Sequence, residues 1–262
     1  MNSPILPPEL CHLVISHLAD LTTLRVCSLV SHGWLPATRR SLFPHLRISD
    51  DDLDPFMPLL SSEYNTFLSA VIAIHFVSWP HHSTVLSTVF PHLAQFTRLT
   101  TVILEIHEPL EQDLPVVPDV TSLQLCIHES FSFPQFLQLL SPFPSLKRLH
   151  VSNVTWDWEK KDSLSSISPL PPLHELVLST FFFEDASFRE WLAQPSTTIT
   201  HLTLYMGYST DSIVDGVLHL LHSLRTNLQH LHVDCTCTHE ESLARTYGFD
   251  KFTDLQTLHI SG

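Results

Sequence analysis

Leu146-Lys147-Arg148-Leu149-His150-Val151 carries apolar side chains at its first, fourth and sixth positions. The last two alternate with polar neighbours, which is how a strand with one buried face reads. The same apolar-x-x-apolar-x-apolar hexamer occurs upstream at Val71/Ile74/Phe76, Leu99/Val102/Leu104 and Val120/Leu123/Leu125. Downstream it returns at Leu173/Leu176/Leu178, Ile199/Leu202/Leu204, Leu228/Leu231/Val233 and Leu255/Leu258/Ile260. Successive starts lie 21 to 29 residues apart, a narrow period that chance alternation would not hold. A fixed period in this range means that one structural unit is repeated and stacked.

Between the hexamers lie stretches with helical spacing. Val85, Leu86, Val89, Phe90 and Leu93 share a face, as do Phe136, Leu137 and Leu140. The longest follows Asp211, a plausible cap, and carries Ile213, Val214, Val217, Leu218, Leu221 and Leu224. Strand plus helix at a period near 26 residues resembles the leucine-rich repeat, and the resemblance implies an α/β solenoid, a horseshoe of about eight parallel strands over residues 48–262. That family's asparagine, three residues past the last strand leucine, is missing: Trp79, His107, His128, Val154, Phe181, Gly207 and Thr236 stand there instead. No asparagine ladder can therefore tie the turns. Only Ser261 and Gly262 follow the last hexamer, so a C-terminal cap is expected to be missing.

The first 47 residues read differently. Pro7-Pro8-Glu9 suits a helix start, and Leu10, Leu13, Val14 and Leu18 recur at helical spacing. Asp20 can cap a second helix with Leu21, Leu24, Cys27 and Val30; Ser31 can cap a third containing Trp34 and Leu42, with Pro36 in its first turn. Three short helices cannot bury all these apolar positions among themselves, so part of that surface is expected to meet a partner. Leu6-Pro7-x-Glu9-Leu10, then Val14, Leu18, Asp20-Leu21, Val26-Cys27 and Trp34 resemble the F-box pattern, although the gap from Cys27 to Trp34 exceeds the commonest spacing. The resemblance implies a three-helix F-box that docks a Skp-type adaptor and so joins a cullin–RING ubiquitin ligase. It places Leu6, Pro7, Leu10, Val14, Leu18, Leu24, Cys27, Val30 and Trp34 on the docking surface or in the small core behind it. The alternative is an ordinary helical cap on the following domain. Asp50-Asp51-Asp52 and residues 53–60 are expected to form a linking helix and the first-repeat edge.

An F-box followed by leucine-rich repeats is the arrangement of substrate receptors, which are non-catalytic. On the expected concave face the middle strand position reads His75, Ile103, Gln124, His150, Val177, Thr203, His232 and His259. Glu175, His201 and His230 precede it, and Tyr205 and Asp234 follow it, in their respective strands. Histidine gathers toward the C-terminal end, so His150, Glu175, His201, Tyr205, His230, His232 and Asp234 are candidate target contacts, unless histidine serves here only as a neutral polar strand residue. Trp158, Phe182 and Tyr208, just past strands, are candidate aromatic anchors.

Composition agrees with a binding role. Net charge is −14, yet residues 1–47 hold Arg25, Arg39, Arg40 and Arg47 against only Glu9 and Asp20. The acidic remainder disfavours nucleic acid and favours a basic target surface. Neither a glycine phosphate loop nor H-E-x-x-H nor G-x-S-x-G occurs, so no enzyme and no cofactor are expected. Cys235-x-Cys237-x-His239 is the best metal candidate by spacing, but it lacks a second Cys/His pair and no metal is assigned. Five unpatterned cysteines, no secretory leader and no run of 18 apolar residues point to the cytoplasm or nucleus, away from membranes.

Overall fold

A computed structural model describes residues 7–62, 65–78, 84–108, 113–156, 171–179, 186–194, 198–206, 211–235 and 252–261. The described strands are β1 (His45–Ser49), β2 (Ala73–Val77), β3 (Thr101–Ile106), β4 (Ser122–Ile127), β5 (Ser130–Phe131), β6 (Arg148–Ser152), β7 (Thr155–Trp156), β8 (Glu175–Ser179), β9 (His201–Met206), β10 (His230–Cys235) and β11 (Thr257–Ser261). Nine of them form one sheet in the order β1-β2-β3-β4-β6-β8-β9-β10-β11. Every pair in it is parallel. β5 and β7 make a separate two-stranded pair. Neighbours in sequence are neighbours in space, because connections of twenty-odd residues are long enough for the crossover that parallel pairing requires.

The hexamers set the register. Ile74, Val102, Leu123, Leu149, Leu176, Leu202, Leu231 and Leu258 pair in one row across eight strands. All but Leu258, on the edge strand β11, are buried. A one-residue slip would turn the whole row outward, so the core itself specifies the pairing. The first position of the hexamer packs beneath the sheet: Val71, Leu99, Val120, Leu146, Leu173, Ile199 and Leu228 are all buried.

The ninth strand, β1, exceeds the eight expected. Phe43, Leu46 and Ile48 carry the same spacing as the hexamers and start 28 residues before Val71. Ile48 is buried and pairs with Phe76, which extends the sheet by one strand at its N-terminal edge. Residue 47, expected to end the first domain, lies inside β1.

Helices cover one face of the sheet. α4 (Leu53–Leu60) follows a 3-10 turn at Asp50–Asp52 and buries Leu60, with Leu53, Phe56 and Met57 packed on the core. α5 (Val85–Val89) runs into a 3-10 segment, Phe90–Gln95; its expected face of Val85, Leu86, Val89, Phe90 and Leu93 is entirely buried. The Asp50 carboxylate accepts hydrogen bonds from the Thr84 and Val85 N–H groups, at 2.9 and 3.1 Å, and so caps α5 from 34 residues away. α6 (Phe133–Leu140) opens on a capping box, with Gln135 accepting from the Ser132 N–H and hydroxyl. Phe133 and Phe136 meet Phe188 and Trp191 of α7 (Ala186–Leu192) with centroids 5.8–6.3 Å apart. α8 (Asp211–Leu224) buries Ile213, Val217, Leu220, Leu221 and Leu224.

Three helices precede the sheet: α1 (Pro8–Ser16), α2 (Leu21–Val30) and α3 (Leu35–Leu42). Asp20 caps α2 as expected, accepting from the Thr23 N–H at 2.6 Å. These bonds hold the Asp20 carboxyl below its usual range, the Thr23 hydroxyl contributing most. Ser31, by contrast, does not cap α3. That helix starts at Leu35 after Trp34, with Pro36 in its first turn, where the missing N–H costs nothing. Ile15, Leu24 and Ala37 form a small buried cluster, flanked by Leu18, Cys27, Trp34 and Leu42. Among the described residues no helix is long and apolar enough to cross a membrane.

Candidate functional site

Two surfaces stand out. The first lies on α1 and α2, which together bury only one narrow stripe. On α1 that stripe is Cys11 and Ile15, spaced i and i+4, continued by the half-buried Leu18. Leu10, Leu13 and Val14 face out, as do Leu21, Val26, Leu29 and Val30 of α2. Leu29 is 85% exposed and Val30 64%. Among the residues expected at the docking surface or behind it, Leu24 is therefore core. Leu18, Cys27 and Trp34 are half-buried beside it, while Pro7, Leu10, Val14 and Val30 are surface. Leu6 lies outside the described residues. Leu13 and Val26 stand in the helical and F-box patterns but not among the expected docking residues, and Leu29 stands in neither; α1 and α2 are apolar on several sides, and periodicity alone cannot say which side is bare.

The second surface is the helix-free face of the sheet. Strand alternation sends Thr101, Ile103 and Glu105 there from β3, each half-buried, while Val102, Leu104 and Ile106 point into the core. At the C-terminal end the expected histidines come together. Glu175, His201 and His230 are consecutive in one row of the register, and Val177, Thr203, His232 and His259 in the next. The His201 and His230 rings stack with centroids 4.2 Å apart, and His232 meets His259 edge-on at 4.6 Å. His232 Nε2 also lies 3.4 Å from the Ser261 hydroxyl. Tyr205 pairs in register with Asp234 and is exposed. His150 is separate, half-buried in the middle of the sheet; burial lowers its pKa, and the Glu175 carboxylate partly opposes that shift. Trp158, Phe182, Tyr208, Cys237 and His239 lie outside the described residues.

A third group was not foreseen as a site. Glu105 stands between two imidazoles: His75 Nε2 is 3.3 Å from Oε2 and His128 Nε2 is 3.5 Å from Oε1. The His107 and His128 rings stack nearly parallel, with centroids 4.3 Å apart. His128 Nε2 also lies 3.4 Å from Cys126 Sγ. In the sequence His107 and His128 stand at the position of the absent asparagine, three residues past the last strand leucine. Ile106 and Ile127 are buried and extend β3 and β4 by one more inward residue, so alternation carries the two histidines to the helix-free face.

These surfaces define a class: a mixed α/β protein with a parallel sheet whose open face carries clustered histidine and acidic side chains, preceded by a small helical unit with bare apolar residues. No protein-family model matches the chain, and no curated protein matches it either.

Proposed function

We propose that this chain is a non-catalytic substrate-recognition subunit of an SCF-type E3 ubiquitin ligase. Its F-box-like helices dock a Skp-type adaptor, and its leucine-rich-repeat-like sheet holds a target protein on the open face. The observation that supports this reading most is the apolar surface of α1 and α2. Leu10, Val14, Leu29 and Val30 are exposed beside a small buried cluster of Ile15, Leu24 and Ala37, with Cys11 also buried. Water-exposed leucines and valines at this density gain free energy only when a partner covers them. They fall in the segment that carries the F-box resemblance, where that family meets its adaptor. The open face supplies polar and aromatic side chains of the kind that contact a folded target, and a ligase subunit of this type works in the cytoplasm or nucleus.

Co-purification of the full chain with a Skp-type adaptor tests the proposal. The unmodified chain captures the adaptor. Leu10→Asp and Leu29→Asp, each placing a charge on the surface to be covered, abolish capture while leaving the circular dichroism spectrum unchanged. Tyr205→Ala, on the open face, leaves capture intact. Failure of the unmodified chain to bind, or binding indifferent to both aspartates, would instead favour a scaffold acting independently of the ligase.

A further inference from the structure

We propose that Glu105, His107, His128 and Cys126 form a binding site for a borderline divalent transition-metal ion of the Zn²⁺ type, with His75 positioning the glutamate. The four groups are one carboxylate, two imidazoles and one thiol, the mixed donor set that Zn²⁺ takes and that Ca²⁺ and Mg²⁺ do not. They come from two adjacent strand ends and all reach the same face of the sheet. One donor atom each from Glu105, His107 and His128 already lies within 4.8 Å of the others. A tetrahedral ion bound at about 2.0–2.1 Å to nitrogen and oxygen separates those ligand atoms by roughly 3.4 Å. His128 Nε2 stands 3.5 Å from Glu105 Oε1 and 3.4 Å from Cys126 Sγ, so two edges of such a tetrahedron are in place.

The surroundings fit as well. His75 engages Oε2 of Glu105 and leaves Oε1 turned toward His128, which is how an outer-shell partner orients a ligating carboxylate. The Asn153 side-chain amide donates to Cys126 Sγ at 3.4 Å, a contact that holds the sulfur beside His128. Asn153 is also the one non-glycine residue with a positive φ among the described residues, at 57°. The left-handed backbone costs of order 1 kcal/mol, and asparagine tolerates it better than most residues. Two parallel rings cannot both aim an in-plane lone pair at one ion. Binding therefore turns His107 out of its stack on His128, a rotation that its half-exposed position permits.

Co²⁺, a spectroscopic stand-in for Zn²⁺, tests the site on the untagged full chain under reducing conditions. One equivalent is expected to give the intense visible bands of a tetrahedral ion and a near-ultraviolet sulfur-to-cobalt charge-transfer band, with Zn²⁺ displacing both. Cys126→Ser removes the charge-transfer band. His128→Ala and Glu105→Gln each weaken binding by at least about 100-fold. His75→Ala weakens it by about 10-fold or more with the band shape retained, which a merely structural residue would not do. Cys235→Ser with Cys237→Ser changes nothing. The proposal is overturned if Co²⁺ gives no tetrahedral spectrum, if His128→Ala and Glu105→Gln both leave it intact, or if the Cys235/Cys237 variant loses it.

Discussion

Replacing Phe136 by alanine tests how the repeats are held together. The ring is fully buried on α6, against Phe188 and Trp191 at 5.8 Å and Phe133 at 6.4 Å. Deleting a fully buried phenylalanine costs about 3–5 kcal/mol, through lost transfer free energy and the cavity left behind. Favourable aromatic pairs contribute roughly 0.5–1.5 kcal/mol each beyond area, and Phe136 makes three. The upper part of that range, about 4–5 kcal/mol, is therefore expected. Phe136→Leu refills most of the volume and costs less, about 1.5–2.5 kcal/mol, mainly the lost ring contacts and a small void. Combining Phe136→Ala with Trp191→Ala should cost less than the sum of the two single changes by about 0.5–1.5 kcal/mol, because the contact can be lost only once. Urea unfolding followed by far-ultraviolet circular dichroism reads all four variants without relying on Trp191 fluorescence. Coincidence with a second probe checks that one transition is being measured. A Phe136→Ala cost below about 1 kcal/mol, or strict additivity in the double variant, would refute a shared pocket between α6 and α7.

Other expectations follow from the same geometry. Leu24→Ala in the helical cluster costs about 2–5 kcal/mol, whereas the 85% exposed Leu29→Ala changes stability by less than about 0.5 kcal/mol; thermal denaturation giving the reverse order would mean that the three helices pack differently. Asp50→Ala removes the distant cap of α5 and costs about 1 kcal/mol, with Asp50→Asn costing less, as urea midpoints would show. His150 titrates lower when folded than unfolded, because burial opposes its charge. Over the interval between the two values the unfolded chain binds more protons, so this contribution to stability is complete above the unfolded pKa near 6.5 and falls away as pH drops below it. His150→Gln should flatten that part of the stability–pH curve, and an unchanged slope would reject the assignment. Asp52 behaves differently: its carboxyl is held low by the Ser49 hydroxyl and N–H, so its contribution is present above the ordinary carboxylate range and lost only as pH falls through the lower folded value.

Much of the sheet was legible because each hexamer carries two signals at once. Strand alternation fixes which residues point inward, and the repeat period fixes which strands are neighbours. β1 carried the same signal in Phe43, Leu46 and Ile48, but it abuts the third helix so closely that the helical reading absorbed it. The cluster around Glu105 was hidden for a different reason. His107 and His128 stand where the family pattern has its asparagine, whereas Ile106 and Ile127 show that alternation runs one residue further on. Glu105-x-His107 and Cys126-x-His128 lie 21 residues apart, the same step that separates their two hexamers. That in-phase repetition was the available signal. On α1 no such signal existed: with Leu10, Cys11, Leu13, Val14 and Ile15 all apolar, only packing against α3 decides that Cys11 and Ile15 turn inward.

The parallel register also explains why a histidine-rich chain forms pairs of rings. Residues at the same repeat position sit side by side on neighbouring strands, about 4.8 Å apart along the hydrogen-bonding direction. That spacing is close to the contact distance of stacked aromatic rings. A histidine recurring at one position therefore becomes a column of imidazoles, as His107 with His128 at 4.3 Å and His201 with His230 at 4.2 Å demonstrate. Two such columns occupy different parts of the open face, one on β3–β4 and one on β9–β10, with β6 and β8 between them. The chemistry of each is set by what stands beside it. Glu105 and Cys126 give the first column a carboxylate and a thiol, and with them the donors to hold an ion. Tyr205 and Asp234 give the second an exposed aromatic and an acid, which suit contact with a protein surface. Because each strand contacts chiefly its immediate neighbours, substitutions in one column should leave the other unaltered, so ion binding at the first and target capture at the second can be assayed separately by mutation.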